Sequence, residues 1–402
     1  MKEQKVSPFV AGTLGFLSAL GPFVTDFYLP VMPEMATYFS TTPSLIGASL
    51  TASMIGFAGG QILIGPLTDK YGRRKILLAS MLLFVVSTAL IIVSPDIHFL
   101  NLMRVFQGLA GAGGIVVAKS MATDLYTGQE LVRFMAILGA ITGIAPVAAP
   151  VCGGILTYIT NWKGFFVALL VLGLLLTAAS FALKETLKPE LRDKRNVLHV
   201  YVNLFKVMKN PLFTVTTLVQ MAGMFVFFAY ISSSSFILEQ TYSLSPLVYS
   251  VCLGLNAVMI SVGSAASMKF KSMQTGLRVM GIGFLLSCGL IAFCILTRRS
   301  IILLMAAYLL TMFFYGIMIA ITNAVALDSE RSNAGAASAI FGAFGFIAGA
   351  IASPLTMMGD YHVSTSALVV LGGALCLLLT KMMIHLLNKH TTMETQRNSD
   401  KS

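Results

Sequence analysis

Two ionisable side chains stand inside runs that are otherwise apolar. Asp26 lies in GPFVTDFYLPVMP (residues 21–33), and Arg104 lies in HFLNLMRVFQGLAG (residues 98–111). A carboxylate can exchange a proton, and a guanidinium can hold a carboxylate through two parallel hydrogen bonds. In a hydrocarbon setting such residues are expensive and by default mark a site. Read as neighbouring helices of opposite direction, each side chain falls six residues below an outer end, near Met32 and His98. At 1.5 Å per residue both sit about 9 Å deep, so pairing is expected. Such a pair is either a static bridge or a proton relay, and the relay is the expectation. Pro22 and Pro30 flank the acid and leave the carbonyls of Ser18 and Asp26 without helical donors. Broken helices of this kind are tolerated where they line a cavity.

Other residues suggest ligand contact. Met221, Met224, Phe225 and Phe228 recur at i, i+3, i+4 and i+7, followed by Tyr230, and Phe313, Phe314 and Tyr315 adjoin one another. Soft methionine and aromatic surface suits varied apolar ligands, although such stripes also serve plain helix packing. Gln61, Gln107 and Asn256 are polar candidates for orienting a ligand, or for bonding a neighbouring helix. The candidate substrate-binding set is Tyr28, Gln61, Gln107, Met224, Phe225, Phe228, Asn256 and Tyr315. Glu239 reads as an exposed boundary charge at the end of an apolar run. The five cysteines (Cys152, Cys252, Cys288, Cys294, Cys376) lack metal-type spacing and read as free thiols. No His, Cys or carboxylate cluster points to catalysis, a metal or a cofactor, and no phosphate-cradling loop points to ATP.

The elements that must position these residues are membrane helices. The 402-residue chain is 56% hydrophobic and only 11% charged, with a mean hydropathy of +0.85. Soluble domains carry about 25% charged residues. Charges cluster between apolar runs long enough to cross a bilayer. Twelve spans are predicted, near 9–32, 44–66, 75–94, 98–119, 132–158, 163–184, 211–238, 246–268, 276–297, 301–324, 334–357 and 364–388. With the N-terminus inside, 23 of the 27 lysines and arginines fall on the cytoplasmic side and 3 outside. That asymmetry places both termini in the cytoplasm. It also accounts for the basic pI, about 9.5, without nucleic acid. The expected organisation is a six-helix bundle over 1–184, a cytoplasmic linker over 185–210 that is partly an amphipathic helix, a second bundle over 211–390 and a disordered tail over 391–402. APVAAPVCGG in span five and GAFGFIAGAIASP in span eleven suggest weak repetition between the halves.

Three motifs narrow the reading. GPLTDKYGRRK (65–75) joins spans two and three. In it, Gly65 is expected to let two helices approach, Gly72 to permit a turn, and Asp69 to satisfy helix-terminal N–H groups beside Arg73 and Arg74. This loop resembles motif A of the major facilitator superfamily, where the acid and the basic residues lock the inner helix ends and release them as the protein changes state. The resemblance implies that Asp69 faces the start of span eleven, where Ser332 or Asn333 would cap. NLMRVFQGLAGAGG (101–114) resembles motif B of the drug:proton antiporters. APVCGG (149–154), with Pro146 upstream and with Pro150, Gly153 and Gly154, resembles their motif C, although Ala149 stands where glycine is more usual. TDFYLPVMP and NWKGFF…LKETLKPE are most similar to the bicyclomycin-resistance (Bcr/CflA) branch. The resemblance covers residues 15–190.

These readings imply an all-α protein of two pseudo-symmetric bundles. It would not be an enzyme but a proton-coupled exporter of small amphipathic antibiotics, monomeric, in a bacterial inner membrane. With one deep acid, neutral or singly charged substrates are expected. The alternatives are export of an endogenous sugar- or purine-type metabolite with incidental drug efflux, and a non-transporting sensor or scaffold.

Overall fold

The computed structural model describes residues 7–126, 128–192, 201, 204–298, 300–330 and 334–399. All regular elements among them are helical. Eleven helices are long and apolar enough to cross a bilayer, and a bent pair, Pro8–Ser18 with Leu20–Tyr38, makes the twelfth. The predicted fold class therefore holds, with span ends displaced by a few residues.

Local chemistry sets where the spans begin. Thr42 accepts from the Leu45 N–H ahead of span two (Pro43–Tyr71), with Pro43 in the first turn. Asp96 accepts from the Phe99 N–H to open span four (Ile97–Leu125). Asn161, Ser272 and Ser300 cap spans six (Trp162–Ala182), nine (Met273–Leu296) and ten (Ile301–Ser329). Each cap satisfies an N–H that the helix itself cannot serve. Span three (Arg73–Ile92) follows Gly72, whose φ of +97° an L side chain rarely adopts.

Span one is the irregular element. Helices Pro8–Ser18 and Leu20–Thr25, the 3₁₀ turn Leu29–Val31 and helix Met32–Tyr38 follow one another, and the whole bends by 45°. Asp26 ends the second piece. The Asp26 carbonyl that Pro30 deprives of a donor does not stay open, because the Leu29 N–H takes it at 3.3 Å in the tighter turn. Span five (Gly128–Leu156) behaves differently, running as one helix through Pro146 and Pro150.

The spans also differ in how far protein surrounds them. In the most apolar stretches of spans two and four, 61% and 67% of residues are buried, against 39% in spans three and six. Spans two and four are thus inner helices, and three and six leave a face to lipid.

Two compact units result, and their limits differ from the expected bundle boundaries. One comprises Met1–Tyr201 with Ser232–Leu255, the other Val202–Ile231 with Asn256–Ser402. The division therefore falls inside spans seven (Pro211–Thr241) and eight (Pro246–Ser267) rather than in the linker. Most of the linker, like Ser332 and Asn333, lies outside the described residues. Span twelve continues as helix to Ser399, through the residues expected to be a disordered tail. No glycine or proline interrupts the chain after Gly373, so the helix meets no breaker.

Candidate functional site

In the first unit, Asp26 and Arg104 are both buried, at 6% and 0% exposure. Depth alone suggested that they pair, but among the described residues no ion pair joins them. Arg104 turns its donors to neutral acceptors instead. Nη2 donates to the Val24 carbonyl at 2.9 Å and to Ser53 Oγ at 3.3 Å. Nε reaches the Ser49 carbonyl at 3.3 Å and Nη1 reaches Gln107 Oε1 at 2.6 Å. The guanidinium lies 4.4 Å over the Tyr28 ring, with Phe166 behind it. The physical reason for the misjudged pair is azimuth. Equal depth puts two groups at one height, whereas the bend in span one presents the Val24 carbonyl, not the Asp26 carboxylate, to span four.

This network absorbs two of the expected ligand residues. The Tyr28 hydroxyl is hydrogen-bonded to Ser49 Oγ at 2.9 Å, and Gln107 Nε2 donates to Thr88 Oγ1 at 2.8 Å. Both side chains are fully buried, so they hold helices one, two, three and four together. Gln61, in span two, makes no side-chain hydrogen bond among the described residues and keeps its amide available.

Asp26 has a different neighbour. The Thr25 hydroxyl lies 2.7 Å from Asp26 Oδ1 and 3.0 Å from the Gly21 carbonyl. A hydroxyl has one proton. It can donate to an ionised Asp26, or donate to Gly21 while accepting from a protonated Asp26. Either protonation state is therefore hydrogen-bonded without moving a heavy atom.

Span five closes over this turn. A Cβ at Gly153 would collide with the Phe27 carbonyl, and one at Gly154 would collide with Ser250 in span eight. Pro146 and Pro150 lie in the same helix upstream.

Beside the GPLTDKYGRRK loop, Arg73 pairs with Asp69 one turn earlier and with Asp124 of span four at 3.0 Å. It also donates to Thr68 Oγ1 at 2.8 Å. Glu185, just beyond span six, accepts from the Arg73 N–H at 2.9 Å and the Arg74 N–H at 3.3 Å, capping span three from 112 residues away. Arg74 Nη2 donates to the Phe181 carbonyl at 2.8 Å. Asp124, Glu185 and Thr68 were missed in the sequence. The one available signal was two acids at helix ends facing a basic loop. Gly65 does not serve the close approach expected of it, because a Cβ there would meet open space. The expected partner of Asp69 at the start of span eleven lies outside the described residues.

In the second unit the methionine and aromatic stripe of span seven divides among several neighbours. The Tyr315 hydroxyl donates to Met224 Sδ at 2.8 Å, and Met224 also packs on Gly345 of span eleven. Phe225 instead lies against Gly372 of span twelve, and Phe228 is buried at 4% exposure. Asn256 Nδ2 donates to the Tyr230 hydroxyl at 2.6 Å, while its Oδ1 is buried without a partner. Phe227 stacks on Tyr315 at 5.1 Å, and Tyr230 lies 4.5 Å from Tyr308. The reading of Glu239 as an exposed boundary charge is overturned. It is only partly exposed, in a π-helical turn, with Oε1 buried.

Comparison with known proteins places these features. The family described as Major Facilitator Superfamily matches residues 14–354. The uncharacterized MFS-type transporter YdgK of Bacillus subtilis (strain 168) is 32% identical over 357 residues, 87% of this chain and 89% of its own length. A bicyclomycin resistance protein homolog of Haemophilus influenzae is 29% identical over 204 residues, covering 51% of this chain and 50% of that protein. The crystal structure of a D-xylose-proton symporter superposes with a TM-score of 0.70 over 92% of this chain and 97% of that one. At 15% identity this likeness shows the fold alone. The family match runs from span one into span eleven. This multi-pass membrane chain belongs to the Major Facilitator Superfamily, whose members are transporters rather than enzymes.

Proposed function

We propose that the transporter exports small amphipathic antibiotics from a bacterial cytoplasm in exchange for protons, with both termini inside the cell. The observation that carries this reading is the Asp26–Thr25–Gly21 arrangement, a buried carboxyl whose one hydroxyl neighbour serves either protonation state. The similarity to a bicyclomycin resistance protein homolog supports the substrate class. In the cycle, ionised Asp26 favours the substrate-receptive inward state. A proton from outside neutralises it, weakens substrate and lets the empty carrier return. Arg104 braces the broken span, and Asp26 works without it. Asp69, Arg73 and Asp124 hold the inner helix ends and release them in switching.

The energetics allow one proton per molecule. A charge crossing 100 mV releases about 2.3 kcal/mol, and one pH unit about 1.4 kcal/mol. Together these sustain a gradient of several hundred-fold for a neutral compound, about tenfold per 1.4 kcal/mol.

The test is Asp26→Asn in inverted vesicles. Drug movement driven by a pH gradient should be lost, while binding and downhill exchange persist. Drug-induced proton release at the wild-type ratio per folded molecule would reduce Asp26 to scaffolding.

A further inference from the structure

In the second unit, span nine packs along span twelve (Tyr361–Asn388). A Cβ at Gly373 would meet Cys288 and Leu285, and one at Gly281 would meet Leu377 and Thr380. At the end of this seam Gln274 Nε2 donates to Asn388 Oδ1 at 2.7 Å. The two helices are therefore antiparallel and held in one register. Each also has its other edge covered. Gly276 and Gly283 of span nine lie against Ile321 and Phe314 of span ten, and Gly372 of span twelve lies against Phe225 and Val226 of span seven. Only one side of the seam is left to face lipid.

On that open side both helices present basic residues. At 3.6 residues per turn, Arg278 stands about 60° round from Gly281 and shares an exposed stripe with Ile282 and Leu286. On span twelve, Lys381 and His385 are exposed one and two turns from Asn388, in line with exposed Leu371 and Leu378. Counted from the Gln274–Asn388 bond, His385 lies about 4.5 Å, Arg278 about 6 Å and Lys381 about 10 Å along the seam.

Nothing on these helices neutralises the charge. No aspartate or glutamate occurs from residue 240 to 327 or from 361 to 393. Among the described residues no ion pair involves Arg278, Lys381 or His385. Positive charge near span ends is general, but here it converges from two helices on one seam. Further along, Gly289 and Ala374 face each other at matching height, and a Cβ at Gly289 would meet open space. These small residues leave an apolar channel leading away from the charges. A phosphate oxygen pair accepts two parallel bonds from a guanidinium, and basic pockets between spans suit anionic headgroups. A soluble anion would leave the channel unused, whereas a lipid fills both parts.

We propose that the open side of this seam binds one anionic phospholipid. Arg278, Lys381 and His385 hold its phosphate, and an acyl chain lies along the channel past Gly289 and Ala374. The site belongs to the second unit alone and does not depend on the export reading.

The test is native mass spectrometry of the delipidated full chain in a neutral detergent. Salt is set at about 0.15 M, so that charges more than about 8 Å apart are screened. Dioleoylphosphatidylglycerol and dioleoylphosphatidylcholine carry the same chains, and the measured quantity is the ratio of their affinities. The wild type should prefer phosphatidylglycerol, and that preference should fall about fivefold in R278Q and in K381Q. R278K keeps the charge without the planar fork and should lose roughly twofold to threefold. The altered side chains are exposed, so the variants should fold; if R278Q does not, K381Q and R278K carry the test. K206Q/K209Q removes two exposed charges elsewhere in the unit and should leave the preference unchanged. An equal fall in that control, or no preference in the wild type, would reduce the cluster to general positive charge and overturn the site. G289L, which fills the channel, should weaken both lipids alike; undiminished binding would overturn the placement of the chain. Inorganic phosphate is titrated against the phosphatidylglycerol complex in parallel. Displacement of the lipid would assign the cluster to a free anion and overturn the lipid assignment.

Discussion

A guanidinium fully buried without a carboxylate against it is costly, and the surroundings of Arg104 show how the cost is met. Its donors are spread over Val24, Ser49, Ser53 and Gln107, on spans one, two and four, and its face lies on Tyr28. Many weak dipoles disperse one charge, and the planar fork reaches acceptors in several directions. Lysine brings its donors to a single point and cannot span the set. Arg104→Lys should therefore lower unfolding stability by about 2 kcal/mol. Transport should fall in proportion to the folded protein lost, with the pH dependence of the remaining activity unchanged. A shifted pH profile would show instead that Arg104 acts on the proton affinity of Asp26. Detergent melting curves and proteoliposome transport across a pH series separate the two outcomes.

At the scale of elements, the glycines of the motifs part company. Gly153 in span five lies against the Phe27 carbonyl in the broken turn of span one, and backbone cannot step aside as a side chain can. Gly153→Ala should cost about 1–3 kcal/mol through overpacking and impair export. Gly65 faces open space inside a helix. Gly65→Ala should leave thermal stability unchanged or raise it by about 0.5–1 kcal/mol, the usual helical preference for alanine. Equal losses in the two variants would mean that Gly65 makes its contact in another conformation. The inner helix ends teach a related lesson. GRRK supplies charge, but the start of span three is fixed by Glu185, which reaches it only after span six has returned to the same side.

For the whole molecule, the proposed orientation, with both termini inside the cell, rests on the distribution of basic residues, 23 against 3. In a background free of the five native cysteines, a cysteine at Asn161 or Thr297 should react with an impermeant thiol reagent added to intact cells. One at Lys194 should not. The reverse pattern would invert the membrane orientation and the direction of transport.

By itself the sequence determined the number of spans, their approximate ends and the presence of ionisable residues within them. These follow from one-dimensional facts: apolar length against bilayer thickness, caps before prolines, charge between runs. Asp26 could be singled out in the same way, because a carboxylate in an apolar run needs no neighbour to be conspicuous. Its partner could not. Height along a helix can be counted, but which way a side chain faces depends on the bend at Ala19 and the turn after Asp26, and only the tertiary structure decides these. The same holds for Gln107, whose amide bonds to Thr88 and Arg104, and for Asp124 and Glu185, which meet the GRRK loop from distant positions. Glu239 was misplaced because a charge near a span end normally reaches water. Here the eleven residues before it are all enclosed by protein, and enclosure depends on which helices pack around a span, not on the span's own composition.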